Sequence, residues 1–423
     1  MTRAIAAFAL FAWFNPSAHS AEPETLRTLL DWGRDTRAAR AKGDHQAWLE
    51  AGRHALALAP DSPDLLISVA RAHAGLGQVR DSIDLLGQAV QRGAGVDVAR
   101  VPEFQKLPSS PELEAITQQA RKNLSSVPRA QLFAVLPDKT AQSEGITYDP
   151  ESRRIFVGTN HGEILQVDQN GSVATFVPRE SGMLGVLGLK VDAERRLLWA
   201  VNGAFPELLS SEPPKPEVGV CGVHAFRLSD GKLAGKHWLD ERPTLHAFND
   251  LALARNGDIY ITDSAQAAVY RVHAGKLEPF VREEHLTFAN GIVLTPDQKR
   301  LYVASVEGLS EIDLGTRKVQ HLTVPANASV NSIDGLAYYG AELIGVQPSP
   351  YLSRIARISL SKDGRSVTRV STINSHSPAE YSQTTAVVAG DQLYVVGGSP
   401  AADTVGSPLT KEPKPQIIKI PLR

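Results

Sequence analysis

The sequence predicts a mainly β chain, a six-bladed β-propeller preceded by a small α-helical domain, and three observations predict it. Composition changes near residue 130: Ala, Leu and Arg at helical spacing give way to Val, Ile, Tyr and Gly at period two. A unit of polar residue, apolar strand, Asp/Asn/Gly turn and second apolar strand then recurs. It reads "EGITYDPESRRIFVGT" from Glu144, "GLKVDAERRLLWAVN" from Gly188, "FNDLALARNGDIYITDS" from Phe248, "FANGIVLTPDQKRLYVAS" from Phe288 and "IDGLAYYGAELIGVQ" from Ile333. Aligned on Gly145, Gly188, Asp250, Gly291, Gly335 and Ala386, the six units are spaced mostly in the forties, the length of a four-stranded blade.

The chain of 423 residues is 42% hydrophobic, enough for a core and for two domains. Its first segment, "MTRAIAAFALFAWFNPSAHSAEPE", carries Arg3, an apolar run from Ala4 to Phe14, and the small residues Ala18 and Ser20 before a cleavage point. That pattern is a signal peptide over residues 1–20, with the mature chain beginning near Ala21. The run is too short to span a bilayer. No long apolar segment follows, Cys221 is the only cysteine, and none lies beside the cleavage point for lipid attachment. The expectation is a soluble periplasmic or secreted protein without a disulfide framework or a membrane span. A formal net charge of -2 gives no sign of a nucleic-acid partner.

Residues 21–128 form the predicted helical domain. An offset of 34 pairs Trp32 with Leu66, Arg37 with Arg71, Ala38 with Ala72, Gly43 with Gly77 and Ala55 with Ala89. This resembles the tetratricopeptide repeat, in which small residues let two helices approach and Gly closes the turn. "LAPDSPDLL" supplies the break and helix cap between repeats, and a terminal helix is expected over Glu112 to Lys122. Two repeats and one helix are short for a free-standing solenoid, so the unit should lean on the following domain or on a partner. It reads equally as a docking surface for a protein partner and as a helical cap.

Residues 129–423 form the predicted propeller. The second unit contains the Pro-rich insertion "FPELLSSEPPKPEVGV", expected as a surface loop near one face. The sixth unit, "TTAVVAGDQLYVVGG" with "PQIIKIPLR", lacks a strand, and "RAQLFAVL" from Arg129 to Leu136 can supply it and close the ring. "VGVCGVHAF" places Cys221 in a strand entering the core, with no basic neighbour to lower its pKa, so a structural thiol is expected.

In a propeller the first strand of each blade lines the central channel, and here the strands start at Glu144, Leu187, Asn249, Asn290, Asp334 and Thr384. Two carboxylates and two amide carbonyls converging at one mouth make an oxygen-rich site. Such ligands suit Ca²⁺, while the lack of Cys and His argues against a zinc cage. Glu144 and Asp334 together would offset a divalent ion, giving a neutral site of moderate affinity. The same dipeptides also occur as plain turns, but here they head strands rather than forming the "DPES", "RNGD" and "TPDQ" hairpins.

The stretches "EGITYDP", "FNDLALARNGDIYITD", "FANGIVLTPDQKRLYVAS" and "IDGLAYY" resemble the gluconolactonase and senescence-marker-protein family of six-bladed propellers, with a more distant likeness to paraoxonases. The resemblance implies that Glu144, Asn290 and Asp334 ligate a catalytic Ca²⁺. It also implies that Asn249 ligates it or holds substrate and water, and that Asp334 doubles as general base. A divalent cation there would polarise an ester carbonyl and make water a better proton donor. Sugar-lactone hydrolases carry an Arg two positions before the Asn of the third blade, where this chain has Ala247. His246 and His161, in "LHAFND" and "GTNHGE", are candidate substrate-binding residues at the mouth, and Asp263 in "YITDS" reads as a blade brace.

The leading expectation is thus a Ca²⁺-dependent hydrolase of lactones or related esters. The alternative is a non-catalytic ligand- or protein-binding propeller with structural Ca²⁺ and a helical docking domain. Lyase chemistry of the strictosidine-synthase kind is a third reading.

Overall fold

The computed structural model describes residues 28–125, 127–138, 141–204, 219–375, 381–400 and 415–423. The signal-peptide segment and most of the Pro-rich insertion lie outside the described residues.

Among the described residues five helices come first: α1 (Leu29–Ala41), α2 (His45–Leu58), α3 (Pro63–Gly75), α4 (Val79–Gln91) and α5 (Pro111–Asn123). The hairpin α1–α2 recurs as α3–α4 with each helix start displaced by 34 residues, and α5 is the expected terminal helix. Thr28 and Asp31 form a capping box on α1, while Ser62 with Pro63 and Ser110 with Pro111 start α3 and α5. The turns after α1 and α3 need Gly43 and Gly77, with φ of 71° and 74°. Ala55, Ala72 and Ala89 are fully buried, so the helices approach closely around Trp48, Leu66, Ile67 and Leu86. Among the described residues no helix is long and apolar enough to cross a membrane.

Twenty-four strands follow among the described residues. After β1 (Gln131–Val135), blade 1 holds β2 (Ser143–Asp149), β3 (Arg154–Thr159), β4 (Ile164–Val167) and β5 (Val173–Val177). Blade 2 holds β6 (Gly185–Asp192), β7 (Leu197–Gly203), β8 (Cys221–Arg227) and β9 (Leu233–Leu239). Blade 3 holds β10 (Phe248–Leu253), β11 (Ile259–Asp263), β12 (Ala268–His273) and β13 (Lys276–Arg282). Blade 4 holds β14 (Ile292–Leu294), β15 (Arg300–Ser305), β16 (Gly308–Asp313) and β17 (Val319–His321). Blade 5 holds β18 (Leu336–Tyr339), β19 (Glu342–Pro348), β20 (Ser353–Leu360) and β21 (Val367–Ser375). Blade 6 holds β22 (Tyr381–Ala389), β23 (Gln392–Pro400) and β24 (Gln416–Pro421).

Each sheet is an antiparallel meander, and the sixth is completed in the order β1-β24-β23-β22, with Gln131 opposite Lys419 and Leu132 opposite Ile418. The segment expected to close the ring does so, which pairs the two edges that an open array would expose. The inner strands β2, β6, β10, β14, β18 and β22 meet one another in a closed circuit. Cores of Val, Ile, Leu and aromatic side chains fill the wedges between blades, including Cys221, which is fully buried. Burial, and next the nearby Asp263, raises its thiol well above its ordinary pKa, in keeping with a structural role.

The helical unit leans on the propeller, as its small size requires. It packs on the same end at which the inner strands of blades 4 and 5 begin. Leu29, Ala55 and Ala59 close over Phe288 and Val306. Asp64 near the start of α3 takes hydrogen bonds from Ser349 Oγ at 2.6 Å and the Tyr351 N–H at 3.3 Å, and the Gly95 N–H donates to the Tyr351 carbonyl at 2.8 Å.

Candidate metal centre at the channel mouth

The residue after each strand start explains why the starts converge. A Cβ on Gly145 would lie 1.9 Å from the Leu187 carbonyl oxygen, and one on Gly188 2.7 Å from that of Asn249. One on Gly291 would lie 2.5 Å from the Asp334 oxygen, and one on Gly335 2.6 Å from Thr385 Cα. None of these four glycines has a positive φ, so the requirement is room for the next inner strand rather than backbone freedom. Hydrogen bonds seal the same level: Gly291 N–H to the Asp334 carbonyl and Gly335 N–H to the Thr384 carbonyl, both at 2.8 Å, and Thr262 Oγ1 to the Asn290 carbonyl at 2.7 Å.

Glu144, Asn249, Asn290 and Asp334 are each part-exposed at this level, while their chain neighbours Ser143, Gly145, Phe248, Asp250, Ala289, Gly291, Ile333 and Gly335 are buried. Leu187 and Thr384, the other two starts, are buried as well. The ring therefore presents two carboxylates and two amides to the channel.

Hydrogen bonding orients the amides. Ser264 Oγ donates its proton to the Ala289 carbonyl at 2.7 Å and so must accept from Asn249 Nδ2, at 3.1 Å. That contact engages Nδ2 and not the Asn249 side-chain oxygen. The Asn290 side chain hydrogen-bonds to Asp334. Burial pushes Glu144 well above the usual carboxylate range, the charge of Asp334 adds to the rise, and the Thr384 hydroxyl offsets part of it. Burial likewise pushes Asp334 up to about 7, with the Asn290 hydrogen bond acting against it and the charge of Asp250 with it.

Two residues at this site escaped the sequence reading. Asp250 occupies the glycine slot of blade 3, and its carboxylate takes Lys190 Nζ at 3.1 Å, the Leu251 N–H at 2.8 Å and the Ile292 N–H at 3.4 Å. The cation of β6 is thereby spoken for. The only signal was an Asp where the other units place a small residue.

The two histidines stand differently. His246 is buried, with Nδ1 2.6 Å from Asp263 and Nε2 3.2 Å from Glu241, so both ring nitrogens face carboxylates rather than the channel. Asp263 also accepts the N–H groups of Ala247 and Ala265, which makes it the brace of blade 3. His161 lies in the β3–β4 loop with Nδ1 3.8 Å from Asp138, and its buried Nε2 has no hydrogen-bond partner among the described residues.

Residues 142–337 match the family model of the SMP-30/Gluconolactonase/LRE-like region. The match spans all four part-exposed residues. No curated protein matches the chain. Among solved structures, the PQQ-bound aldose sugar dehydrogenase of Streptomyces coelicolor is 13% identical, with 70% of this chain and 99% of that one covered and a TM-score of 0.47. Virginiamycin B lyase of Staphylococcus aureus is 12% identical, with the same coverage and TM-score. A luciferin-regenerating enzyme is 14% identical over 70% of this chain and 95% of that one, with a TM-score of 0.49. Their names span several chemistries, and a shared architecture does not choose among them.

Proposed function

We propose that this chain is an exported, calcium-dependent hydrolase of lactones or related esters. The observation that carries the reading is a pair of part-exposed, poorly solvated carboxylates at the channel mouth, Glu144 and Asp334, with the charge of Asp334 raising Glu144 and no cation paired to either among the described residues. Lys190 on the inner strand β6 is paired to Asp250. Two negative charges and two neutral amide oxygens suit a hard divalent cation, and the hydrogen bond of Asn249 Nδ2 to Ser264 leaves its side-chain oxygen to offer as a ligand. The residues fit the ion.

Glu144, Asn290 and Asp334 would hold it, and Asn249 would ligate it or hold the substrate beside it. Bound there, calcium supplies Lewis acidity that polarises an ester carbonyl. Asp334 would take the proton of the attacking water, and the hydrogen bond from Asn290 would hold that carboxylate in place. His161, in the β3–β4 loop at the end of the blade where β2 begins, is a further candidate for substrate contact. Ala247 offers nothing to a sugar hydroxyl, which disfavours aldonolactones. The export arm rests on the signal-peptide pattern, and a mature N-terminus near Ala21 on protein from the envelope fraction would support it. The decisive experiment is a panel of lactones and aryl esters assayed with calcium and with chelator. Hydrolysis indifferent to chelator refutes the metal reading, and no hydrolysis of any member with calcium bound favours the binding-propeller alternative.

A further inference from the structure

We infer that the helical unit positions Asn290, acting through Phe288, and so belongs to the site rather than merely adjoining it. The inference rests on the reading of Asn290 as an oxygen ligand. Phe288 has a φ of 55°, a left-handed conformation that a bulky side chain holds only when its surroundings impose it. Its ring is buried in an apolar cluster with Val306 of the propeller. Leu29, Ala55 and Ala59 complete the cluster, with Leu30, Trp32 and Leu65 packed around them. The helices thus form a wall against which the ring is held.

Asn290 follows two residues later, and the chain between is already pinned. The Ala289 carbonyl accepts from Ser264 Oγ, the Asn290 carbonyl from Thr262 Oγ1, and the Asn290 N–H donates to Ala304 at 2.8 Å. Relaxing Phe288 to an ordinary φ would turn the chain by roughly 120°. Ala289 alone cannot absorb that rotation while all three bonds persist. The other blades give a contrast: Gln142 and Ala247, each two residues before the part-exposed residue of blades 1 and 3, are not left-handed. In blade 5 Ser332, two residues before Asp334, has a φ of 53°. The loop that carries it is tied through the Ser329 carbonyl to Arg354 Nη2 at 3.0 Å, and Arg354 lies against Gly93 at the end of α4. Left-handed residues precede the site residues in the two blades on which the helices rest.

The test uses the full chain and two readouts, calcium affinity by titration calorimetry and amide hydrogen exchange of the metal-free protein. Phe288→Ala removes the ring, Phe288→Leu keeps apolar contact, and Ala59→Asp opens the seam from the helical side without touching the ligand loop. Supporting groups around a metal typically contribute about 10- to 100-fold in affinity. Phe288→Ala and Ala59→Asp should each lose calcium affinity in that range and speed exchange at the Asn290 amide, and Phe288→Leu should remain near wild type. Wild-type affinity and exchange in both disruptive variants overturns the inference, as does faster exchange across the whole chain, which marks a general stability role. Failure of the wild-type protein itself to bind calcium instead overturns the proposed function.

Discussion

Calcium binding should be coupled to protons, because burial raises both carboxyls that would hold the ion, with the charge of Asp334 adding to the rise of Glu144 and that of Asp250 to the rise of Asp334. The perturbation is pH alone. With Asp334 at about 7 and calcium taken only by the ionised form, affinity is maximal above pH 7 and falls as pH drops. One proton with a midpoint near 7 weakens apparent affinity about 10-fold at pH 6 and about 100-fold at pH 5. Glu144, raised in the same direction, steepens the fall beyond one decade per pH unit. The metal-free protein should show the complementary trend. A carboxyl raised on folding contributes stability that is fully present below its unfolded pKa of about 4 and is lost as pH rises through about 7. The metal-free chain should therefore melt lower at pH 8 than at pH 5 on account of this site, and calcium at about 100 times its Kd should restore roughly 2.7 kcal/mol at pH 8. Titration calorimetry in buffers of different ionisation enthalpy counts the protons released. Affinity that is flat from pH 8 to pH 5, with no proton release, refutes the reasoning.

Three further outcomes follow from the geometry. Glu144→Gln should weaken calcium binding and be partly rescued by excess calcium, whereas Asp334→Asn should lower hydrolysis of a confirmed substrate by about 100- to 10,000-fold without rescue; equal rescue of both in steady-state assays would remove the division of roles. Gly145→Ala places a Cβ against the Leu187 carbonyl and should cost about 3 kcal/mol or more in denaturant unfolding, while Gly235→Ala, with nothing within 4 Å, should stay within about 1 kcal/mol. Asp64, pushed up to about 6 by burial against the hydrogen bonds from Ser349 and Tyr351, contributes stability that is lost as pH rises through 6. Asp64→Asn should therefore stabilise the chain above pH 6 by up to about 3 kcal/mol and do nothing near pH 4, which melting curves at the two pH values check.

The six blades, the closing strand β1 and the four part-exposed residues were legible in the sequence, because period-two alternation, hairpin residues and a polar residue at the head of most inner strands are local features. Even the glycine after the start was visible, although its reason was not: Gly145 is small because Leu187 of the next blade passes where its Cβ would be. What only the tertiary structure decided depends on residues far apart in the chain. Asp250 reads like any turn aspartate until the ring brings it within 3.1 Å of Lys190, 60 residues earlier. His246 looked like a group at the mouth, and packing places it between Asp263 and Glu241. The 34-residue repeat announced helices but not their seat, since Asp64 meets Ser349 across 285 residues. Local sequence sets backbone periodicity through steric and hydrogen-bonding preferences of neighbouring residues. Which side chains share a site is set by how a closed ring and its helical buttress bury their surfaces together, and no short stretch of sequence contains that information.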